Sequence, residues 1–162
     1  MATGAQKTAR LPGALRPGGR TPLFYLPQTS GGRAGPAATR SKYNLVLAFA
    51  GTNRATEAYL CDLAAVHQEI LERDARLMVV VPLSLVESQA LATRLALPYG
   101  LLADEDGATT ARLLGAENSA ALCVADRFGA IYSLDLAPDA STLPPVRTAL
   151  EWLDFVQIQC PE

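Results

Sequence analysis

The sequence predicts an α/β fold in which a mixed central sheet is covered by helices on both faces. Three observations carry this. Apolar runs of strand length alternate with segments of helical periodicity, two late apolar runs are joined by a hairpin turn, and an amphipathic segment closes the chain. The resulting order is β-β-α-β-α-β-α-β-β-α, with no internal repeat.

Residues 1–22 are rich in Gly, Pro, Arg and Ala and lack periodicity, so they read as an extended N-terminal arm before a domain spanning 23–162. Residues 23–26 (LFYL), flanked by Pro22 and Pro27, suit an edge strand. The Gly31-Gly32 and Gly35-Pro36 pairs make 28–41 a loop, and 44–50 (NLVLAFA) follows as a buried strand. A helix is expected from about residue 54 to 73, with Tyr59, Leu63, Val66 and Ile70 as its core stripe and Thr52 or Asn53 as its cap. The continuous apolar run 76–82 suits the middle of a parallel sheet. Ser84 and Glu87 form a capping-box pattern opening a helix that runs to about Ala96.

Leu97-Pro98 ends that helix, residues 99–103 form a short strand, and Asp104 to Gly107 turn into a brief helix over 108–114. Residues 120–125 and 130–134 read as strands joined by the turn Asp126-Arg-Phe-Gly129. The last helix is expected from about Pro144, favourable in a first turn, to Gln159. Its core face is Val146, Leu150 and Leu153. Trp152, Phe155 and Ile158 point off that face and are free to cover the domain's own strands or a partner.

Charge is divided along the chain. No acid precedes Glu57, where eight basic residues lie, whereas from Glu57 onward 16 acids face six arginines. A basic arm on an acidic body can neutralise its own domain or reach an acidic partner, which makes Arg10, Arg16 and Arg20 candidate contacts. The arm lacks dense Arg/Lys clusters, so nucleic acid is disfavoured. No apolar run approaches the roughly 20 residues that span a bilayer, and the first residues hold no stretch of signal-peptide length. The expected compartment is the cytoplasm.

Three scattered cysteines, Cys61, Cys123 and Cys160, without a C-x-x-C pair, make neither a disulfide framework nor a zinc site. His67 is the single histidine, which disfavours His-based triads and His-rich metal sites. The acids Asp104, Glu105 and Asp106 lack calcium-loop spacing and read as a solvated turn or helix cap. Neither a metal nor a cofactor is expected.

Residues 44–50 (NLVLAFA), 57–63 (EAYLCDL), 77–82 (LMVVVP), 102–107 (LADEDG), 124–132 (VADRFGAIY) and the terminal EWLDF and CPE, in that order, resemble the thioredoxin-like superfamily. The likeness is closer to its redoxin/peroxiredoxin-like branch (alkyl hydroperoxide reductase/thiol-specific antioxidant). It implies a three-layer α/β/α sandwich from about Thr21 to the end. It also implies a reactive cysteine in the loop or first turn after the strand ending at Ala50, where the helix N-terminus stabilises a thiolate. That segment is Gly51 to Leu60 and holds no cysteine, with Asn53 and Thr56 in the two C-x-x-C places. A threonine hydroxyl cannot pass through a sulfenic acid. The resemblance further implies a cis-proline before the strand at 121–125, and residues 118–120 contain no proline.

The chain is therefore identified as a degenerate member without the active-site cysteines: a non-catalytic binding or structural module, a protein-interaction subunit of a larger assembly or a homo-oligomer. The alternative is a peroxiredoxin-like thiol oxidoreductase or peroxidase using Cys61, with Cys160 as resolving partner. Cys61 lies about 160–180° from the core stripe on a helical wheel at about 100° per residue and beyond the first turn, where the dipole effect is strongest. Cys123 sits inside an apolar strand as a small core residue. A third reading is an anion site at Thr52 to Arg54, at the helix start.

Overall fold

The computed structural model describes residues 14–159. Its centre is strand β3 (Asn44–Phe49), every residue of which is buried. To reach it the chain passes two two-residue strands, β1 (Leu26–Pro27) and β2 (Arg33–Ala34), paired as a small antiparallel ribbon. After β3 come α1 (Thr56–Glu72), β4 (Ala75–Val81), α2 (Leu85–Arg94), β5 (Leu101–Ala103) and α3 (Ala108–Leu114). Strands β6 (Ala120–Ala125) and β7 (Ile131–Ala137) and helix α4 (Arg147–Gln159) complete the chain. The main sheet has the order β5-β4-β3-β6-β7. β3 runs parallel to β4, with Asn44 opposite Ala75 and Phe49 opposite Val80. It runs antiparallel to β6, with Leu45 opposite Ala125.

Successive residues of a strand point to opposite faces, so a strand buried on both must be apolar throughout. Val46 and Ala48 enter a core shared with Tyr59, Leu63, Val66 and Ile70 of α1, Leu91 of α2, and Leu150, Leu153 and Val156 of α4. Leu45, Leu47 and Phe49 enter the opposite core, closed by Leu113 and Leu114 of α3 and by Leu15, Phe24 and Leu26. The three layers follow from that alternation. Side chains of this size each contribute about 1.5–3 kcal/mol when fully buried.

Helix boundaries show local chemistry at work. The Ser84 hydroxyl accepts from the Glu87 N–H and the Glu87 carboxylate accepts from the Ser84 N–H, both at 3.1 Å, completing the capping box. α2 stops at Arg94, earlier than the sequence suggests, and Ala96 takes a positive φ of 50°. α4 begins at Arg147, not Pro144. A residue preceding proline is pushed out of the helical region, and Leu143 and Pro144 both stand before one. β7 extends to Ala137 rather than ending at Leu134, because its pairing with β6 continues to Ala120.

The strand expected at 23–26 contracts to Leu26–Pro27. The segment keeps the alternation of a strand, with Phe24 and Leu26 buried and Leu23 and Tyr25 exposed. Two prolines remove ladder donors there, and the Tyr25 carbonyl accepts from Arg33 Nη2 at 2.8 Å. Gly35 passes so close that a Cβ would meet the Phe24 carbonyl oxygen at 1.7 Å. The expected loop 28–41 thus contains β2 and a 3-10 turn, Pro36–Thr39.

Residues 14–22 run against the domain, with a turn at Arg16 to Gly19 in which the Gly19 N–H donates to the Arg16 carbonyl at 3.1 Å. The Leu15 N–H donates to the Leu113 carbonyl at 3.2 Å, the Gly18 N–H to Ile131 at 3.0 Å and the Thr21 N–H to Gly129 at 2.8 Å. Leu15 is buried in the α3-side core. Among the described residues no helix is long and apolar enough to cross a membrane. Replacing Leu15 by Ala should lower stability by about 2–4 kcal/mol, the usual cost of a buried Leu→Ala change. Urea denaturation will show this as a lower midpoint, and a loss under about 0.5 kcal/mol, typical of surface changes, would mean the segment is only loosely attached.

Candidate functional site

β3 delivers the chain to Gly51, whose φ of +64° turns it toward the start of α1. A Cβ at Gly51 would lie 3.0 Å from the Asn118 carbonyl oxygen, so the loop and the residues before β6 meet almost backbone to backbone. Asn118 holds that approach. Its Oδ1 accepts from the Thr52 N–H at 2.8 Å and from Thr52 Oγ1 at 2.9 Å.

Asn53 and Thr56 are both spent on local structure. The Asn53 side chain accepts from the Ala55 N–H at 2.8 Å, satisfying an amide at the helix entrance. The Thr56 hydroxyl is buried, donates to the Ala50 carbonyl at 3.0 Å and accepts from the Asn53 N–H at 3.0 Å. The cap expected from Thr52 or Asn53 does not form: α1 starts at Thr56 rather than Arg54, Ala55 stands at its N-cap position without a side-chain cap, and the Asn53 oxygen is spent on the Ala55 N–H just before the helix.

Beside this loop lies a cleft of about 440 Å³ between Thr52, Asn53, Thr56 and Glu57 on one side and Glu87, Leu91 and Arg94 of α2 on the other. Glu57 and Arg94 form a two-pronged pair across it, each prong 2.8 Å. The Arg94 hydrogen bond holds the Glu57 carboxyl below its ordinary range. Because the pair is exposed, its effect is on the shape and charge of the rim more than on stability.

The thiols stand elsewhere. Cys61 is exposed in the second turn of α1. Cys123 is buried in β6, where burial pushes its thiol up to about 12, leaving it protonated and inert. Cys160 and Arg10 lie outside the described residues. Arg16 and Arg20 are exposed, and Arg20 Nη2 donates to the Phe128 carbonyl at 2.7 Å, folding back on its own domain. Trp152 is half-buried against the α1-side core. Phe155 is exposed but edge-packed on Trp152 at 5.6 Å and on Tyr132 at 6.2 Å, so these rings cover β7 in part.

The acidic turn is structural at Asp104. That carboxylate is buried and accepts from the Thr110 N–H and hydroxyl, both at 2.8 Å, and from the Thr109 N–H at 3.2 Å, closing the first turn of α3. Sequence reasoning missed Asn118 as a brace, because one asparagine between helix and strand has no periodic signal. It also missed the Glu57–Arg94 pair, whose members are 37 residues apart.

No protein-family profile matches the chain, and no curated protein sequence does. Solved structures do match. The peroxidoxin BcpB from Mycobacterium tuberculosis aligns with a TM-score of 0.74 at 19% identity, over 88% of this chain and 98% of that one. Reduced 2-Cys peroxiredoxin from Plasmodium vivax gives 0.79 at 17% identity, over 90% and 83%. A Cys-to-Ser mutant of PrxQ from Xylella fastidiosa gives 0.69 at 11%, over 90% and 97%. The five-stranded mixed sheet with helices on both faces is thus the thioredoxin-like fold. At these identities the likeness is one of fold.

Two outcomes test the local account. Thr56→Val removes the hydroxyl that joins Ala50 to Asn53, and unpairing the buried Ala50 carbonyl should cost about 1–3 kcal/mol in denaturant unfolding. His67, whose ring stands 5.6 Å from that of Tyr99, is held below its ordinary value of 6.5 by burial first and Arg76 second. The unfolded chain therefore takes up its proton at higher pH than the folded one, and the contribution to stability is complete above 6.5 and lost as pH falls through the lower folded value. A His67→Gln variant should flatten that part of the stability profile, while an unchanged slope would remove His67 as its source.

Proposed function

We propose that this protein is a non-catalytic module of the thioredoxin-like fold that binds a protein partner or a second copy of itself. The observation that supports it is the use made of the helix start. A peroxidase of this fold needs a thiolate there, and the loop 51–55 contains no thiol. The Thr56 hydroxyl and the side-chain oxygens of Asn53 and Asn118 are engaged with the loop's own backbone. A hydroxyl donating to a carbonyl, with no base on it, is not an activated nucleophile. The contacts proposed for a partner are Arg10, Arg16 and Arg20 of the basic N-terminal residues, and Trp152 and Phe155 of α4.

A second reading is favoured by the solved neighbours: a thiol oxidoreductase or peroxidase working through Cys61. Those neighbours are peroxiredoxins, and on that comparison the thiol reading stands ahead of the non-catalytic one. Cys61 is the exposed thiol among the described residues and lies on the helix that follows the loop. In that chemistry the Cys61 thiolate takes one peroxide oxygen as a sulfenic acid and releases water or alcohol. Cys160 then condenses with it to a disulfide, releasing water, and an external dithiol restores both.

Peroxide consumption by the reduced protein with a dithiol regenerant separates the two. The non-catalytic reading expects a rate equal to that of Cys61→Ser and to the protein-free background. Turnover that is lost in Cys61→Ser, with the fold intact by circular dichroism, would replace it with the thiol reading.

A further inference from the structure

A second cleft, of about 380 Å³, lies on a different stripe of α1. Ala55, Ala58, Tyr59 and Asp62 face it from the helix, and Leu143 and Val146 are among the residues facing it from the segment before α4. Tyr59 is 6% exposed, and its hydroxyl is buried without a hydrogen-bond partner. Two other buried polar atoms share that condition, Arg40 Nε and Ser88 Oγ. Arg40 is anchored through Nη2 to the Thr21 hydroxyl at 2.8 Å, and neither residue lines this cleft. A buried hydroxyl left unpaired is destabilising, and in a native protein it marks a place where water or a ligand completes the bond.

The charge around that hydroxyl has one sign. Burial first, then the carboxylates of Asp135 and Asp62, push the Tyr59 phenol far above its ordinary value. It therefore stays neutral, with oxygen lone pairs to offer, in a negative field. An ammonium group answers each feature: it donates up to three hydrogen bonds, is drawn to carboxylates, and is attracted to the face of an aromatic ring. Leu143, Pro144, Pro145 and Val146 offer apolar surface for the methylene stem that carries it.

We propose that the cleft between α1 and the 140–146 segment binds an aliphatic ammonium, as a free amine or a lysine side chain, with Tyr59 Oη accepting from it and Asp62 balancing its charge. This site shares Ala55 with the loop at the helix start but none of the side chains that line the Glu57–Arg94 cleft, and it does not depend on whether Cys61 is redox-active.

The test is an NMR titration of the isotope-labelled full chain with n-hexylamine, N-acetyl-lysine methylamide and 1-hexanol. Hexylamine should shift amides of 55–62 and 140–146 saturably, with hexanol at least tenfold weaker. Tyr59→Phe and Asp62→Asn should each weaken hexylamine at least threefold. The aspartate variant, at an exposed position, keeps the test open if the tyrosine variant does not fold. Lysine-derivative binding within threefold of hexylamine assigns the side chain as ligand, and weaker binding assigns free amines. Equal binding of hexanol, unchanged affinity in the folded variants, or an absence of saturable shifts would overturn the site. So would a crystal structure grown with the amine that shows only an ordered water on the Tyr59 hydroxyl.

Discussion

Strand β3 has to satisfy two cores at once, and the rest of the molecule is arranged around that demand. Its neighbours on both sides, β4 and β6, take up its backbone hydrogen bonds, so neither of its edges reaches water. Its odd-numbered side chains need α3 and the N-terminal segment above them, while its even-numbered ones need α1 and α4. A polar residue at Leu47 or Phe49 would leave an unpaired group in a dry interior. The same constraint fixes where the loop after β3 emerges: at the end of the central strand, between the start of α1 and the residues leading into β6.

That position is the one at which a helix entrance can polarise a reacting group. In this chain it carries short polar side chains that bond inward. Thr56 ties the end of β3 to the loop, Asn53 ties the loop to the helix, and Asn118 ties the loop to the next strand. The outcome is a rigid polar corner with a cleft beside it, whose rim is held by an ion pair. The geometry of the fold and the chemistry of the corner thus bear on function in different directions. The fold aligns with peroxiredoxins, and the corner itself lacks sulfur.

Much of the architecture was legible in the residues because it rests on local periodicity. The Tyr59, Leu63, Val66, Ile70 stripe is buried as its spacing requires, and the Ser84–Glu87 reciprocal cap forms as written. Illegible features depend on contacts remote in sequence. The basic N-terminal residues read as an extended arm from composition, and what composition could not show is that from Ala14 onward their backbone bonds to α3 and to the start of β7. Residues 23–26 alternate like a strand, but of them Leu26 alone is paired with β2, opposite Ala34. In the site, the absence of a thiol from residues 51–55 was visible at once. Asn118 and Arg94 gain their meaning only when the fold brings them to Thr52 and Glu57.

The placement of Cys123 has a consequence for how the protein ages. Its sulfur sits in β6, fully covered and held protonated, with strands on both sides. Oxidants in the surrounding solution act on sulfur they can touch, so exposed Cys61 is open to them and buried Cys123 is passed by for as long as the sheet stays closed. Oxidative damage at this buried position is then a record of openings at the very middle of the molecule. A chain carrying it would have to fit a polar oxygen into a dry interior, so the added oxygen disfavours closing for as long as it stays on the sulfur.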